Sequence, residues 1–365
     1  MILCANPSAG YLAQKAAIDA AVLRVLSGGR YVLGPEVGAF EAEFAAYIGA
    51  AHGIGVASGT DALVIALKAA GIGPGDEVIT TAHTAVATVA AIELAGATPV
   101  FADIEPDYFT LDPKHVERMI SPRTKAVVPV HLYGQAADVS ALVTLTQRRG
   151  LLLIEDCAQC HGASYDEKRL GSFGALSCFS SYPTKNLGAI GDAGVIVTSD
   201  AELAQRCRLL REYGWAERYV SHIAGQNSRL DELQAAILRV KLEKLDEANA
   251  RRAALAKLYD QGLAKTRLRL PERRPRSTHV FHLYVVRSSS RDATQRGLRD
   301  AGIGALVHYP VPVHQQKAYS GRIRGAAELP ETERAAREVL SLPMYPELAE
   351  SDLQIVVSAL QKHEE

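Results

Sequence analysis

Leu151-Leu152-Leu153-Ile154-Glu155-Asp156 is the stretch that decides the fold. Four consecutive apolar residues with no polar alternation read as a strand covered on both faces, the pattern of a parallel sheet packed between helices. The run ends in a carboxylate, and the carboxyl ends of the strands are where open α/β sheets place their chemistry. Working outward, comparable runs recur at 53–57, 77–81, 98–102, 125–132, 175–180 and 194–198. Helical stretches alternate with the first five strands, so the expectation is an α/β fold with a mostly parallel seven-stranded sheet between helices.

Beyond the strand expected at 175–180 comes Ser180-Ser181-Tyr182-Pro183-Thr184-Lys185-Asn186-Leu187-Gly188, a turn-rich stretch wedged before the next apolar run. A lysine held there can lose its proton through desolvation, and its characteristic covalent chemistry is Schiff-base formation with carbonyls and pyridoxal phosphate. Such a cofactor needs an acidic or basic partner for its ring nitrogen and oriented N–H donors for its phosphate. Asp156 suits the first. Ser58-Gly59-Thr60 suits the second, because it follows one apolar run and opens a helical segment at 61–70 that stops at Gly71. Taken alone, a lysine after a strand is usually a loop residue and a serine before a helix is usually a cap; the combination carries the reading.

The 365 residues are 48% hydrophobic with a formal net charge of −1, which suits a large core and gives no reason to expect nucleic acid or an anionic membrane as partner. Five scattered cysteines fit reduced thiols better than a disulfide framework. With no basic segment and apolar core at the start of the chain, the expected location is the cytoplasm. Cys157-Ala158-Gln159-Cys160-His161 matches a haem-attachment pattern, but it overlaps Asp156 and lacks the export signal that chemistry needs, and no metal site is expected. A long amphipathic helix is expected at 229–252, linking a large unit (1–248) to a smaller C-terminal α+β unit (249–365). The basic stretch 267–276 reads as an exposed loop of solvated charge. A strand at 280–286 and helices at 291–301 and the end of the chain follow.

Read in order, Gly34-Pro35-Glu36, Ser58-Gly59-Thr60-Asp61-Ala62-Leu63, Gly73-Pro74-Gly75-Asp76-Glu77-Val78, Glu155-Asp156-Cys157-Ala158-Gln159, Lys185-Asn186-Leu187-Gly188 and Asn227-Ser228-Arg229-Leu230-Asp231-Glu232 resemble the pyridoxal-phosphate sugar aminotransferases of the DegT/StrS type. The resemblance spans nearly the whole chain and implies the fold-type I aminotransferase architecture. It implies pyridoxal 5'-phosphate as cofactor, alternating with pyridoxamine phosphate, with Lys185 as the lysine that binds it and moves the substrate proton. It further implies Asp156 at the ring nitrogen, Gln159 at the ring hydroxyl, and Gly59, Thr60 and Ser180 around the phosphate, where the helix start already puts Ser58. Asn227 would reach the phosphate of a neighbouring subunit, which requires a homodimer with a shared active site. His308-Tyr309-Pro310-Val311-Pro312-Val313-His314 resembles the stretch lining the sugar pocket of members that aminate the 3-position of dTDP-linked deoxyhexoses, with Tyr309, His308 and His314 as substrate candidates. Tyr213 and Tyr219, in the loop before Asn227, are substrate candidates facing the partner's site, and Arg229 is either a structural ion pair or a contact for the donor carboxylate. Glutamate is the implied amino donor. Many relatives carry an aromatic residue where this chain has Ala85, so either His83 covers the cofactor ring or that face is less packed than usual. Rival readings are amination at the 4-position or of a cyclitol ketone, and a regulatory protein without activity on the same fold.

Overall fold

Each of the seven apolar runs forms a strand, and all seven join one sheet. A computed structural model describes residues 1–364. Its strands are β1 (His52–Val56), β2 (Glu77–Thr81), β3 (Thr98–Ala102), β4 (Thr124–Val127), β5 (Leu152–Asp156), β6 (Leu176–Ser180) and β7 (Gly194–Thr198), in spatial order β1-β7-β6-β5-β4-β2-β3. The pairs from β6 through β3 are parallel, and β7 runs antiparallel to both its neighbours.

Alternation along the central strands feeds two cores at once. Leu176, Cys178 and Ile196 pack on one side against the helix Gly59–Ala69, while Phe179, Val195 and Val197 pack on the other against Phe40 and Phe44 of the helix Pro35–Ile48. Large aliphatic and aromatic side chains buried this completely each contribute about 1.5–3 kcal/mol by leaving water, which is why these strands carry no polar face.

β4 is shorter than the 125–132 run suggested. Pro129 has no N–H to give to a ladder, yet its carbonyl accepts the Asp156 amide at 2.9 Å, so the chain beyond β4 still braces the end of β5.

The segment expected as a single helix at 229–252 is two, Glu232–Leu242 and Leu245–Leu263, broken at Glu243 and Lys244. The break lets the first helix pack on Lys15–Gly28 and Pro35–Ile48 while the second packs on the final helix, Glu350–Glu364. Glu232, 1% exposed, accepts the amides of Gly34, Glu36 and Val37 at 2.7–3.0 Å. It thereby caps the helix Pro35–Ile48 and joins two of the quoted sequence motifs in space.

A further core is built almost entirely from residues after 250, including Tyr259, Tyr284, Leu298 and Leu340. Its two strands, β8 (Tyr284–Arg287) and β9 (Val339–Leu342), pair antiparallel. The 267–276 loop is exposed at Arg273 and Arg276, but Arg274 is not solvated charge. It is buried, ion-paired with Glu105, bonded to the Ala136 carbonyl at 3.0 Å and stacked over Tyr108. Its carboxylate partner, some 170 places away in sequence, was out of sight until the chain folded. Among the described residues no helix is long and apolar enough to cross a membrane.

Candidate active site

At the carboxyl ends of β5 and β6 the sheet opens into a cavity of about 250 Å³, walled by Ser58, Gly59, Thr60, Asp156, Gln159, Ser180 and Lys185. Thr84, Ala85, Tyr182 and Asp192 also line it. Residues drawn from five separate stretches of sequence thus meet at one place.

Asp156 closes β5 and is 4% exposed. Its Oδ2 accepts the Thr88 hydroxyl at 2.8 Å, and its Oδ1 accepts the Ala158 amide at 3.1 Å. Burial pushes its pKa up, opposed by the Thr88 and Ala158 hydrogen bonds and the nearby Lys185 charge.

Lys185 is fixed from both ends of its turn. Its amide donates to Tyr182 O at 2.8 Å, and the Ala189 amide donates to Ser181 O at 2.8 Å. Asn186 Nδ2 donates to Asn249 Oδ1 and Val280 O, while Lys241 Nζ donates to Gly188 O at 2.6 Å. Gly188 is needed because a Cβ there would lie 2.4 Å from Pro183 O. Part of the lysine side chain faces the cavity, and protein crowds the rest. That desolvation lowers its pKa to about 8, against the opposing pull of Asp156.

The orientation of Gln159 follows from its partners. Oε1 accepts the Tyr133 amide at 2.7 Å, so the other end must be the amide nitrogen, and Nε2 donates to the Tyr309 hydroxyl at 3.2 Å. An amide NH₂ has two hydrogens, which leaves the second for a group in the cavity.

Ser58 is the N-cap of the helix Gly59–Ala69 and accepts the Asp61 amide at 3.1 Å. Helix geometry gives the Gly59 and Thr60 amides no partner within the helix, so that end suits an anion. A Cβ on Gly59 would lie 2.4 Å from Ser180 Cβ, so the glycine lets the helix start approach the end of β6.

The other candidates lie elsewhere. His83 is fully buried and off the cavity wall, with Nε2 2.8 Å from Tyr133 OH and its ring beside Phe109. The wall at that level is Thr84 and Ala85. Tyr133 in turn donates to the His308 carbonyl, while His308 Nδ1 lies 2.8 Å from Ser341 Oγ. Tyr309 meets the site through Gln159. His314 points Nε2 at Glu333, 3.3 Å away, and sets its ring edge-on to Phe101. Tyr213 and Tyr219 flank Trp215 at the hairpin of Trp215–Glu217 and Val220–Ser221, with Tyr219 71% exposed. Asn227 is exposed and outside the cavity, next to buried Ser228, whose hydroxyl donates to Asp61 at 2.7 Å. Arg229 lies 3.8 Å from Glu212.

Sequence reasoning missed Thr88, Tyr133 and Asp192. Thr88 lies in a mostly apolar helix that also carries Glu93, and one hydroxyl there is too common to mark it. Tyr133 stands at positive φ (62°), a conformation no pattern in its neighbours announces.

His131, Glu155 and Cys157 also bring ligand atoms together. The lone pairs of Glu155 and His131 are committed, however. Glu155 accepts Gly171, Phe173 and Gly174 amides, the Ser177 hydroxyl and His131 Nε2, and His131 Nδ1 accepts the Ala137 amide. This cluster ties the strand end to the loop 171–174 and has no capacity to spare for an ion.

Compared with known proteins, residues 13–361 match the DegT/DnrJ/EryC1/StrS aminotransferase family. A dTDP-3-amino-3,4,6-trideoxy-alpha-D-glucose transaminase from Streptomyces venezuelae is 49% identical over 355 residues, 97% of this chain and 94% of that protein. Among solved structures, S. venezuelae DesV in complex with a ketimine intermediate is similar with TM-score 0.97 and 48% identity, covering 100% of this chain and 98% of that one. NtdA from Bacillus subtilis with bound cofactor PMP is similar with TM-score 0.88 and 34% identity, covering 96% and 81%.

Proposed function

From the premise that this chain belongs to the DegT/DnrJ/EryC1/StrS aminotransferase family, we propose that it moves an amino group from glutamate to a nucleotide-linked keto-deoxysugar, with dTDP as carrier and the 3-position as the aminated carbon. The observation that carries the reading is the meeting of Lys185, Asp156, Gln159 and the Gly59-Thr60 helix start around one cavity. The nucleotide and the position rest on the similar S. venezuelae transaminase.

The donor set fits pyridoxal phosphate: a buried carboxylate for the ring nitrogen, a free Gln159 N–H for the ring hydroxyl, and uncommitted amides with Ser58 and Ser180 for the phosphate. When bound, that cofactor supplies an electron sink for the charge left when a proton leaves the amine-bearing carbon. Lys185 Nζ takes and returns that proton, and a pKa near 8 matches the task near neutral pH. Asp156 holds the proton on the ring nitrogen. In this reading Tyr309, held by Gln159, borders the sugar, with His308 behind it, and Arg229 is assigned to the donor carboxylate. In a homodimer, exposed Asn227 reaches the neighbouring phosphate and the Tyr213 and Tyr219 hairpin leans toward the neighbouring site. The division into units 1–248 and 249–365 and a cytoplasmic location, consistent with five buried free thiols, belong to the same proposal.

The test is the absorption spectrum of the purified protein with pyridoxal phosphate, before and after L-glutamate, followed by dTDP- and UDP-linked ketosugars. The expected result is loss of the cofactor absorbance with glutamate and its return with one dTDP-3-ketosugar. Protein that never takes up the cofactor overturns the reading, and return with a UDP sugar alone overturns the carrier. Lys185→Ala should lose at least about a thousandfold in turnover; full activity in that variant would remove Lys185 from the mechanism.

A further inference from the structure

Thr88 and Thr84 form a directed hydroxyl chain into Asp156. An ionised carboxylate only accepts hydrogen bonds, and a threonine hydroxyl has one hydrogen to give. Thr88 Oγ1, 2.8 Å from Asp156 Oδ2, therefore spends its hydrogen there. Thr84 Oγ1 lies 3.1 Å from Thr88 Oγ1, and with the Thr88 hydrogen spent, Thr84 must be the donor of that pair. Thr84 sits just before the helix Val86–Leu94 and Thr88 in its first turn, so the chain entering the helix brings the two hydroxyls together.

A helical threonine commonly turns its hydroxyl back to the carbonyl four residues earlier. Thr88 gives its only hydrogen to Asp156 instead, in a site where Thr88 is 1%, Thr84 2% and Asp156 4% exposed. Burial drives the carboxyl toward its protonated form, and the Thr88 bond is the first of the groups opposing that drive, ahead of the Ala158 amide and Lys185. Protonated, Asp156 could not accept the ring-nitrogen proton.

We propose that Thr88, aligned by Thr84, is a positioning residue that keeps Asp156 charged and aimed at the ring nitrogen of the bound cofactor. The proposal rests on the aminotransferase reading above. It also gives the Ala85 notch a consequence: with no aromatic residue at that position, hold on the ring falls more heavily on Asp156 and its support.

The test measures the dissociation constant of pyridoxal phosphate by absorbance from pH 5 to 8, with thermal unfolding of the cofactor-free protein as the fold control. Wild type must bind the cofactor; if it does not, the functional reading fails before this inference is reached. Thr88→Val, nearly isosteric, should bind roughly tenfold to a hundredfold more weakly, as expected for loss of a hydrogen bond to a buried charge. The acid limb of its binding curve should move to higher pH, because Asp156 takes a proton earlier. Thr88→Ser should restore affinity to within about threefold, and Thr84→Val should shift the limb in the same direction by less. A role confined to packing would lower thermal stability without moving the acid limb. Thr88→Val with wild-type affinity and limb overturns the proposal. Should that variant not fold, an acid limb unmoved in Thr84→Val overturns it as well.

Discussion

At the scale of single residues, the chemistry depends on what burial does to two charges of opposite sign. Lys185 is pushed down to about 8 and Asp156 is pushed up, each by the loss of water, and each is partly restored by the other. An unfolded lysine holds its proton to about pH 10.5, so between pH 8 and 10.5 the unfolded chain binds more protons and stability rises with pH. Below pH 8 the buried charge is a constant cost. Lys185→Met should therefore raise the thermal midpoint of the cofactor-free protein by a few degrees at pH 7, with the gain vanishing above about pH 10.5. The same titration governs loading: attack on pyridoxal phosphate needs the neutral amine, so the loading rate should fall about tenfold per pH unit below 8. Stopped-flow absorbance at pH 6, 7 and 8 checks this, and a flat profile would mean the lysine is not desolvated. Lys185 and Asp156 were legible because a charged residue at the end of an apolar run is out of place. Thr88 was not, because one hydroxyl in an apolar helix is common and only folding shows where its hydrogen goes.

At the scale of elements, the proposed phosphate site depends on how closely a helix start meets a strand end. Gly59 opens its helix against Ser180, the last residue of β6, with no room for a methyl group. Gly59→Ala should push these apart and weaken cofactor affinity at least about tenfold while leaving the helix itself intact, since alanine is the better helix former. Equilibrium binding and far-ultraviolet circular dichroism check the two halves; unchanged affinity would show that the phosphate is held elsewhere. The seven strands were legible from apolar runs because both faces of this sheet are covered. The break at Glu243 and Lys244 was not, because the apolar stripe continues across it. What ends the first helix is the change of packing partner, from the N-terminal helices to the last one.

At the scale of the whole molecule, folding buries several imidazoles as neutral groups. His83 and His308 are lowered to about 4 and His161 to about 3, and His282 is held well below the ordinary imidazole range, chiefly by burial. The unfolded chain protonates these rings near pH 6.5, so between there and pH 4 it binds more protons and stability falls as pH falls. His161 lies between Phe44 and Phe179 with neither ring nitrogen bonded. His161→Leu should consequently flatten the decline of the thermal midpoint from pH 7 to 4, and an unchanged slope would assign acid sensitivity to other groups. The hairpin tyrosines and Asn227 belong to this scale too, since they stand exposed on the single chain and the role proposed for them needs a second copy.

The sequence by itself determined the sheet, the order of its strands along the chain, the strand-end carboxylate, the lysine turn and the glycine-led helix start. These are local properties: an apolar run, a break in it, a residue type that fits one backbone geometry. Only the tertiary structure decided which hydroxyl supports Asp156, which way Gln159 faces, that His83 turns to Tyr133 and away from the cavity, and that Arg274 is buried against Glu105. Each of those outcomes is a contact between groups distant in sequence. Such contacts are fixed when a buried donor must find an acceptor, and the chain states neither the partner nor the distance until it has folded.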